Sequence, residues 1–286
     1  MTEPLVSIVM AMRNAERTLQ PCLRSLLQQT CADWELLLLD DGSQDRSPEI
    51  AAAVGDARIR LLSDGKHRGL PVRLNQGIAL ARGKYVARMD ADDIAYPQRL
   101  ARQAAFLDAN SAIDLVASRA ILFDNDGTAT GLFPFPGNDH AAICAWPWRG
   151  FVFAHPTWMG RTAWFRRHPY SEQALKAQDQ ELLLRSYQDS RFAVIDEILL
   201  GYRQEGVSVA KSFAGRRVYC GALLRQARGA AGWTRAVRGL GYHAAALLKD
   251  ALLAGRRNPL RQRPTSEQEA AWQRLWQDVG DGPCAA

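Results

Sequence analysis

Residues 84–99 read KYVARMDADDIAYPQR, and the arrangement of the whole chain follows from this stretch. An apolar run of strand character, Tyr85, Val86, Ala87 and Met89, ends in Asp90, Asp92 and Asp93, and Pro97 then opens a helix. Carboxylates packed this closely oppose one another's ionisation. A divalent cation relieves that opposition, and hard oxygen ligands suit magnesium or manganese, which bind through one or two carboxylates and complete their shell with water and substrate phosphates. The same residues also read as a solvated acidic turn capping the next helix, a role Asp fills well. Position favours the first reading, because open α/β sheets bind ligands at the carboxyl ends of their strands.

Upstream, the pattern alternates. Leu5 to Met10 is a β-branched apolar run, followed by the polar turn at Arg13 and Asn14 and a helical pattern through Leu19, Leu23, Leu26 and Leu27. Trp34 to Leu39 is a second apolar run, ending in Asp40, Asp41, Gly42 and Ser43 ahead of another helix. Arg58 to Leu62 reads as a third strand, and Gly69 to Ala81 as a helix that Gly83 closes as a C-cap. Continuous apolar strands separated by helices predict a parallel sheet covered on both faces, half of a doubly wound fold. In such a sheet Asp40 and Asp90 end on one edge and share one crevice.

Downstream the pattern changes. After a helix from Gln98 to Leu107, Leu115 to Ser118 and Ala120 to Phe123 read as two strands, Asp124 to Gly127 as a turn, and Thr128 to Phe133 as the returning partner, which predicts a mixed, partly antiparallel edge. Phe133 to His168 is rich in Pro and Trp, including Trp146, Trp148, Trp158 and Trp164. These rings offer flat surfaces to an amphipathic ligand or fill a core. Gln178 to Tyr187 is helical, with Asp179 and Glu181 where the helix dipole favours negative charge. Phe192 to Ile195 and Ile198 to Arg203 follow as short strands. Beyond Ser208 the chain is helical and basic to about Gly255, breaks at Asn258 and Pro259, and ends in a helix from Ser266 to Val279.

At 286 residues and 47% hydrophobic, the chain can build a real core, which excludes a disordered protein. Cys22, Cys31, Cys144, Cys220 and Cys284 are scattered without zinc spacing, as expected of reduced thiols in a cytoplasmic protein. LVSIVMAM near the start follows Glu3, lacks a basic leader and is too short for a membrane span. The net charge of +6 is unevenly spread: from Lys211 to Arg263, Arg216, Arg217, Arg225, Arg228, Arg235, Arg238, Lys249, Arg256, Arg257 and Arg261 stand against the single acid Asp250.

Taken together, VSIVMAMRNAERTLQPCLRSLLQQT, WELLLLDDGSQD, GLPVRLNQGIALARGKYVARMDADD, HPTWMGR and AQDQELLLR resemble the family 2 glycosyltransferases over residues 4–208. The resemblance implies the GT-A fold, a Rossmann-like, mostly parallel sheet flanked by helices, here with a C-terminal helical extension. It divides the chain into a nucleotide-sugar-binding half at 1–124, an acceptor-binding half of the same domain at 125–208, and a basic helical extension at 209–286. It implies inverting transfer of a sugar from a nucleotide diphosphate, UDP by family habit, to a carbohydrate or lipid-linked acceptor in bacterial surface polysaccharide assembly, with Mn2+ or Mg2+ as cofactor. By resemblance, Asp90 and Asp92 form the metal-binding DxD pair and Asp93 faces the sugar. Asp40 and Asp41 recognise base and ribose, the backbone from Ala11 to Arg13 lines the base pocket, and Arg73 is a cation near the nucleotide. Asn75 reads more as a structural cap.

The family's base is the aspartate of a Glu-Asp pair opening a helix; here the pair is Gln178-Asp179, so Asp179 is the expected base without its acidic neighbour. Many relatives read Tyr-Arg-x-His where this chain has Tyr202, Arg203, Gln204 and Glu205. His155 and Trp158 of the HPTW segment are candidate acceptor or sugar contacts, His155 equally a backbone-bonded loop residue. The missing QxxRW signature points to single-residue transfer rather than polymerisation.

The basic tail, with Leu223, Leu224, Ala227, Ala231, Val237, Leu240, Leu247 and Leu248 among its arginines, reads either as helices lying on an anionic membrane, placing the enzyme peripherally on the inner face of the cell membrane, or as an ordinary helical subdomain. Nucleic acid is not an expected partner. A sugar-nucleotide pyrophosphorylase would need a Gly-rich loop after the first strand, which AMRNAERT lacks. A nucleotide-sugar or glycan-binding protein without catalysis is the non-enzymatic alternative.

Overall fold

The computed structural model describes residues 3–204, 209–252 and 262–280. The first half alternates strand and helix: β1 Val6–Met12, α1 Leu19–Leu27, β2 Trp34–Asp40, α2 Ser47–Ala53, β3 Ile59–Ser63, α3 Leu70–Leu80 and β4 Tyr85–Arg88. β1 and β2 are buried almost throughout, as strands covered by helices on both faces must be. Next come β5 Ile94–Ala95, α4 Arg99–Ala109, β6 Leu115–Phe123, β7 Ala129–Leu132 and α5 His140–Ile143. A 3-10 turn at His155–Thr157 leads into β8 Met159–Arg161, α6 Thr162–Arg167, α7 Gln178–Ser186 and β9 Phe192–Arg203. The helices α8 Val209–Gln226, α9 Gly229–Leu252 and α10 Ser266–Gly280 follow.

One sheet runs β3-β2-β1-β4-β8-β6-β9-β5, with β7 paired to β6. β3, β2, β1 and β4 are parallel, with Met12 opposite Asp40 and Val9 opposite Arg88, so the acid-bearing ends of β2 and β4 lie on one edge. The expected mixed edge is present, with β7 returning antiparallel to β6 and the edge strand β5 antiparallel to β9; the unexpected feature is β8, wedged between β4 and β6 and antiparallel to both. Leu115–Ser118 and Ala120–Phe123 form one strand, β6, and the two short strands after Arg191 form one strand, β9. The register between them slips at Ser118–Ala120, where an Arg119–Asp196 ion pair of 3.1 Å accommodates polar residues in mid-strand. Because β6 pairs with both β7 and β9, residues on either side of position 124 share one sheet.

Gly83 does not cap α3. The helix ends at Ala81, which turns extended (φ −62°, ψ 130°), whereas a Cβ at Gly83 would stand 2.6 Å from the Ser7 backbone nitrogen. Glycine is required there by close approach to β1.

The C-terminal helices do not form one separate body. α10 returns to the sheet: Trp272 is fully buried against Phe123 and donates its indole N–H to the Gly127 carbonyl at 2.7 Å. Gly201 leaves room for that ring, since a Cβ there would lie 2.2 Å from it. Arg24 of α1 donates to the Val279 and Gly280 carbonyls, a cation placed at a helix C-terminus where the dipole favours it. Trp276, one turn after Trp272, thereby reaches the ligand cleft.

Candidate active site

The loops after β1, β2 and β4, with the start of α7 and part of α10, enclose two adjoining recesses of about 1320 and 600 Å3 that share Arg13, Leu70, Asp90 and Lys176. Asp90 therefore stands at their junction. The larger recess is lined by Ala11, Arg13, Asp92, Arg203 and Trp276, and the smaller by Asp41, His67, Arg88, His155, Asp179 and Tyr202.

Asp41 forms a wall of the smaller recess. It accepts hydrogen bonds from the backbone N–H of Arg68 (2.7 Å) and Gly69 (3.1 Å) and from Arg73 Nε (3.1 Å), and pairs with the His67 ring at 2.7 Å. Burial alone would raise its pKa, but these donors hold the carboxyl below its ordinary value. Asp40 is buried behind it, accepting from Ser43 N and Ser63 Oγ, and so shapes the loop without lining the cleft. Arg73 is also buried, paired with Asp41 and Asp64, and acts on the recess only through Asp41. Asn75 exchanges two 2.9 Å hydrogen bonds with the Tyr170 backbone and is structural.

One ligand atom from each of Asp90, Asp92 and Asp93 lies within 4.8 Å of the others. Asp90 and Asp92 are partly exposed and line the larger recess. Burial, reinforced by the charge of Asp90, pushes the Asp92 carboxyl up to about 6. Two oxygen donors under mutual repulsion at the cleft surface fit a hard divalent ion. Asp93 differs from the expectation: it is fully buried, Oδ1 accepts from Arg203 N at 2.9 Å, and it ties β9 to the β4 end rather than facing a sugar.

Asp179 faces the smaller recess from the first turn of α7. Gln180 donates to its Oδ2 at 3.1 Å and also bonds Phe151, anchoring the carboxylate to the loop before the HPTW segment. Burial raises the Asp179 carboxyl above its ordinary value, so the missing acidic neighbour does not leave an unperturbed group. Ala177, the residue before α7, is left-handed (φ 51°), as is Asn14, which lines the larger recess; among the described residues these are the non-glycine positions with positive φ. Strain of this kind costs about 1–3 kcal/mol per residue and gathers at functional sites.

Within the HPTW segment the outcome divides. His155 lines the recess, buried and bonded to the Tyr170 hydroxyl at 2.8 Å; burial and the neighbouring Arg88 charge depress its pKa, so it stays neutral. Trp158 is fully enclosed, its indole N–H directed to the Phe153 carbonyl, and does not reach the cleft. Trp164 is core as well, whereas Trp146 is 56% exposed and packs with Trp148 and Arg149, which in turn meet Tyr242. His67, Arg88, Lys176 and Trp276 also line the recesses, beyond the residues the sequence points to. Glu205 lies outside the described residues.

The sheet brings the clustered carboxylates at its strand ends and an aspartate of a separate helix to adjoining recesses, in a fold of the GT-A class. The model of Glycosyl transferase family 2 matches residues 7–168, and the chain belongs to that family. It is 31% identical over 208 residues to the uncharacterized glycosyltransferase MJ1057 of Methanocaldococcus jannaschii, covering 71% of this chain and 72% of that one. It is 33% identical over 136 residues to the UDP-Glc:alpha-D-GlcNAc-diphosphoundecaprenol beta-1,3-glucosyltransferase WfgD of Escherichia coli, covering 48% of this chain and 53% of that one. The mannosyltransferase PcManGT of Pyrobaculum calidifontis, solved with GDP-Man and Mn2+, superposes with a TM-score of 0.60 over 99% of this chain and 78% of its own, at 14% identity, and shares the fold.

Proposed function

We propose that the chain is an inverting glycosyltransferase that moves a sugar from a UDP-sugar to a hydroxyl of a glycan or lipid-linked acceptor in bacterial surface polysaccharide assembly. The observation that carries this reading is the placement of Asp90 between two recesses, with Asp92 on one side and Asp179 on the other. In this reading Arg13, Asp41 and His67 bound the base and ribose, and Asp90 and Asp92 hold Mn2+ or Mg2+. The bound ion would offset charge gathering on the leaving diphosphate. Asp179 accepts the proton of the attacking hydroxyl while its contact with Gln180 keeps it aimed. UDP as donor base and a diphospho-lipid acceptor rest on the activity named for the E. coli relative.

A thermal-shift panel tests the donor. A UDP-sugar with Mn2+ is expected to raise the melting temperature, EDTA is expected to cancel the shift, and GDP-sugars are expected to act weakly, since a ligand that binds only the native state stabilises it. Stabilisation by GDP-sugars alone would reassign the base, and no response to any nucleotide would remove the transferase reading.

The same proposal places the enzyme on an anionic membrane surface. Among the described residues no helix is long and apolar enough to cross a membrane. α9 instead exposes Trp233 (54%), Val237 (65%) and Leu248 (66%) along one side, with the exposed Arg238 and Lys249 on a neighbouring side. An apolar stripe beside cations suits an interfacial helix. The chain is expected to co-sediment with phosphatidylglycerol vesicles and not with phosphatidylcholine vesicles, and Trp233→Glu with Val237→Glu should abolish this; equal binding to both lipids would refute charge recognition.

A further inference from the structure

The smaller recess holds a cation that the transfer chemistry does not use. Arg88, the last residue of β4, lines it with a side chain only 4% exposed. Its backbone is fixed on both sides: the N–H donates to the Trp158 carbonyl at 2.9 Å, and the carbonyl accepts from Arg99 Nη2 at 2.6 Å. Nη2 of Arg88 donates to Asp90 Oδ1, while Nε and Nη1 are buried without a hydrogen-bond partner. A guanidinium enclosed with unmet N–H groups is unfavourable unless charge compensates it. Asp90, Asp93 and Tyr170 act on it electrostatically, and it acts on Asp92, Asp179, Tyr202, Arg99 and His155. His155 is neutral, and Arg99 spends its Nη2 on the Arg88 carbonyl and its Nε on Gln103.

We propose that Arg88 is a positioning residue, an internal counter-cation that occupies Asp90 in the free enzyme and thereby makes entry of the divalent ion depend on the nucleotide diphosphate. The inference rests on the reading of Asp90 and Asp92 as the metal ligands. A dication entering there must share Asp90 with a fixed guanidinium already bonded to its Oδ1, and that guanidinium repels it at short range. The diphosphate supplies negative charge that offsets this repulsion. Metal and nucleotide therefore strengthen each other's binding by the same factor, as linkage requires.

The test is Mn2+ binding, measured by the loss of the free-ion paramagnetic resonance signal, with and without UDP, for the wild-type chain, Arg88→Met, Arg88→Gln and Arg88→Lys. Wild type is expected to bind Mn2+ weakly alone and far more tightly with UDP. Removing one charge at such short range should tighten Mn2+ binding alone by about tenfold or more in Arg88→Met, and shrink the effect of UDP to match. Arg88→Gln keeps the test open if the Met variant does not fold, and Arg88→Lys should stay near wild type. Unchanged or weaker Mn2+ binding in the neutral variants, with wild type intact, overturns the proposal alone. Absence of Mn2+ binding by wild type even with UDP overturns the metal-site reading together with it.

Discussion

Asp179→Asn is expected to keep nucleotide binding and lose about 10²–10⁴-fold of its transfer rate, the range that a positioned general base contributes. The amide preserves volume and can retain the contact with Gln180, so the carboxylate's ability to accept a proton is what disappears. The wild-type pH profile carries the same information. The base works ionised, and burial raises its pKa above 3.8; activity is therefore full above the raised value and falls as pH drops through it. The acid limb should lie above the range of an ordinary aspartate and be missing from the residual activity of Asp179→Asn. Unchanged turnover in the variant would withdraw Asp179 as the base.

Asp179 is reached through the family resemblance, whereas the strand ends are legible from the residues themselves. The ends of β2 and β4 were legible because uninterrupted apolar runs stop abruptly in acids, and a parallel sheet brings such ends to one edge. β8 was not legible: Met159–Arg161 is too short to show a period, and it is a strand because a slot exists between β4 and β6. β6 and β9 each read as two strands because Arg119 and Asp196 interrupt the apolar run, and only their pairing across the two strands explains them.

Site residues divide along the same line. The identity of Asp40, Asp41 and Asp93 was visible but their direction was not: the side chain of Asp41 turns to the cleft, Asp40 supports its loop, and Asp93 is enclosed. Among the tryptophans composition cannot separate Trp158 from Trp146; packing does. Arg88 did leave a signal, an arginine within an otherwise apolar strand, and Trp272 with Trp276 left another, two indoles one turn apart above Leu275 and Val279. Neither states its target, because the target lies on elements distant in the chain.

Asp92→Ala is expected to separate function from stability. If Asp90 and Asp92 hold the divalent ion, losing one of two ligands removes most of the charge stabilisation available to the departing diphosphate, and transfer should fall by about 10³-fold or more. The Mn2+-dependent part of the UDP-sugar thermal shift should vanish with it. The metal-free chain should respond in the opposite sense. The Asp92 carboxyl is raised in the folded state to about 6 from 3.8, by burial first and by Asp90 second. A raised carboxyl contributes stability that is present in its protonated form and is lost as pH rises through the folded value, so at neutral pH the ionised group weighs against the fold. Removing it should leave the metal-free melting temperature equal or higher at pH 7.5, with the difference closing as pH falls through about 6 toward 3.8. A variant that melts lower at every pH yet retains the Mn2+-dependent shift would show that Asp92 is a structural acid, and would move the metal assignment away from this pair.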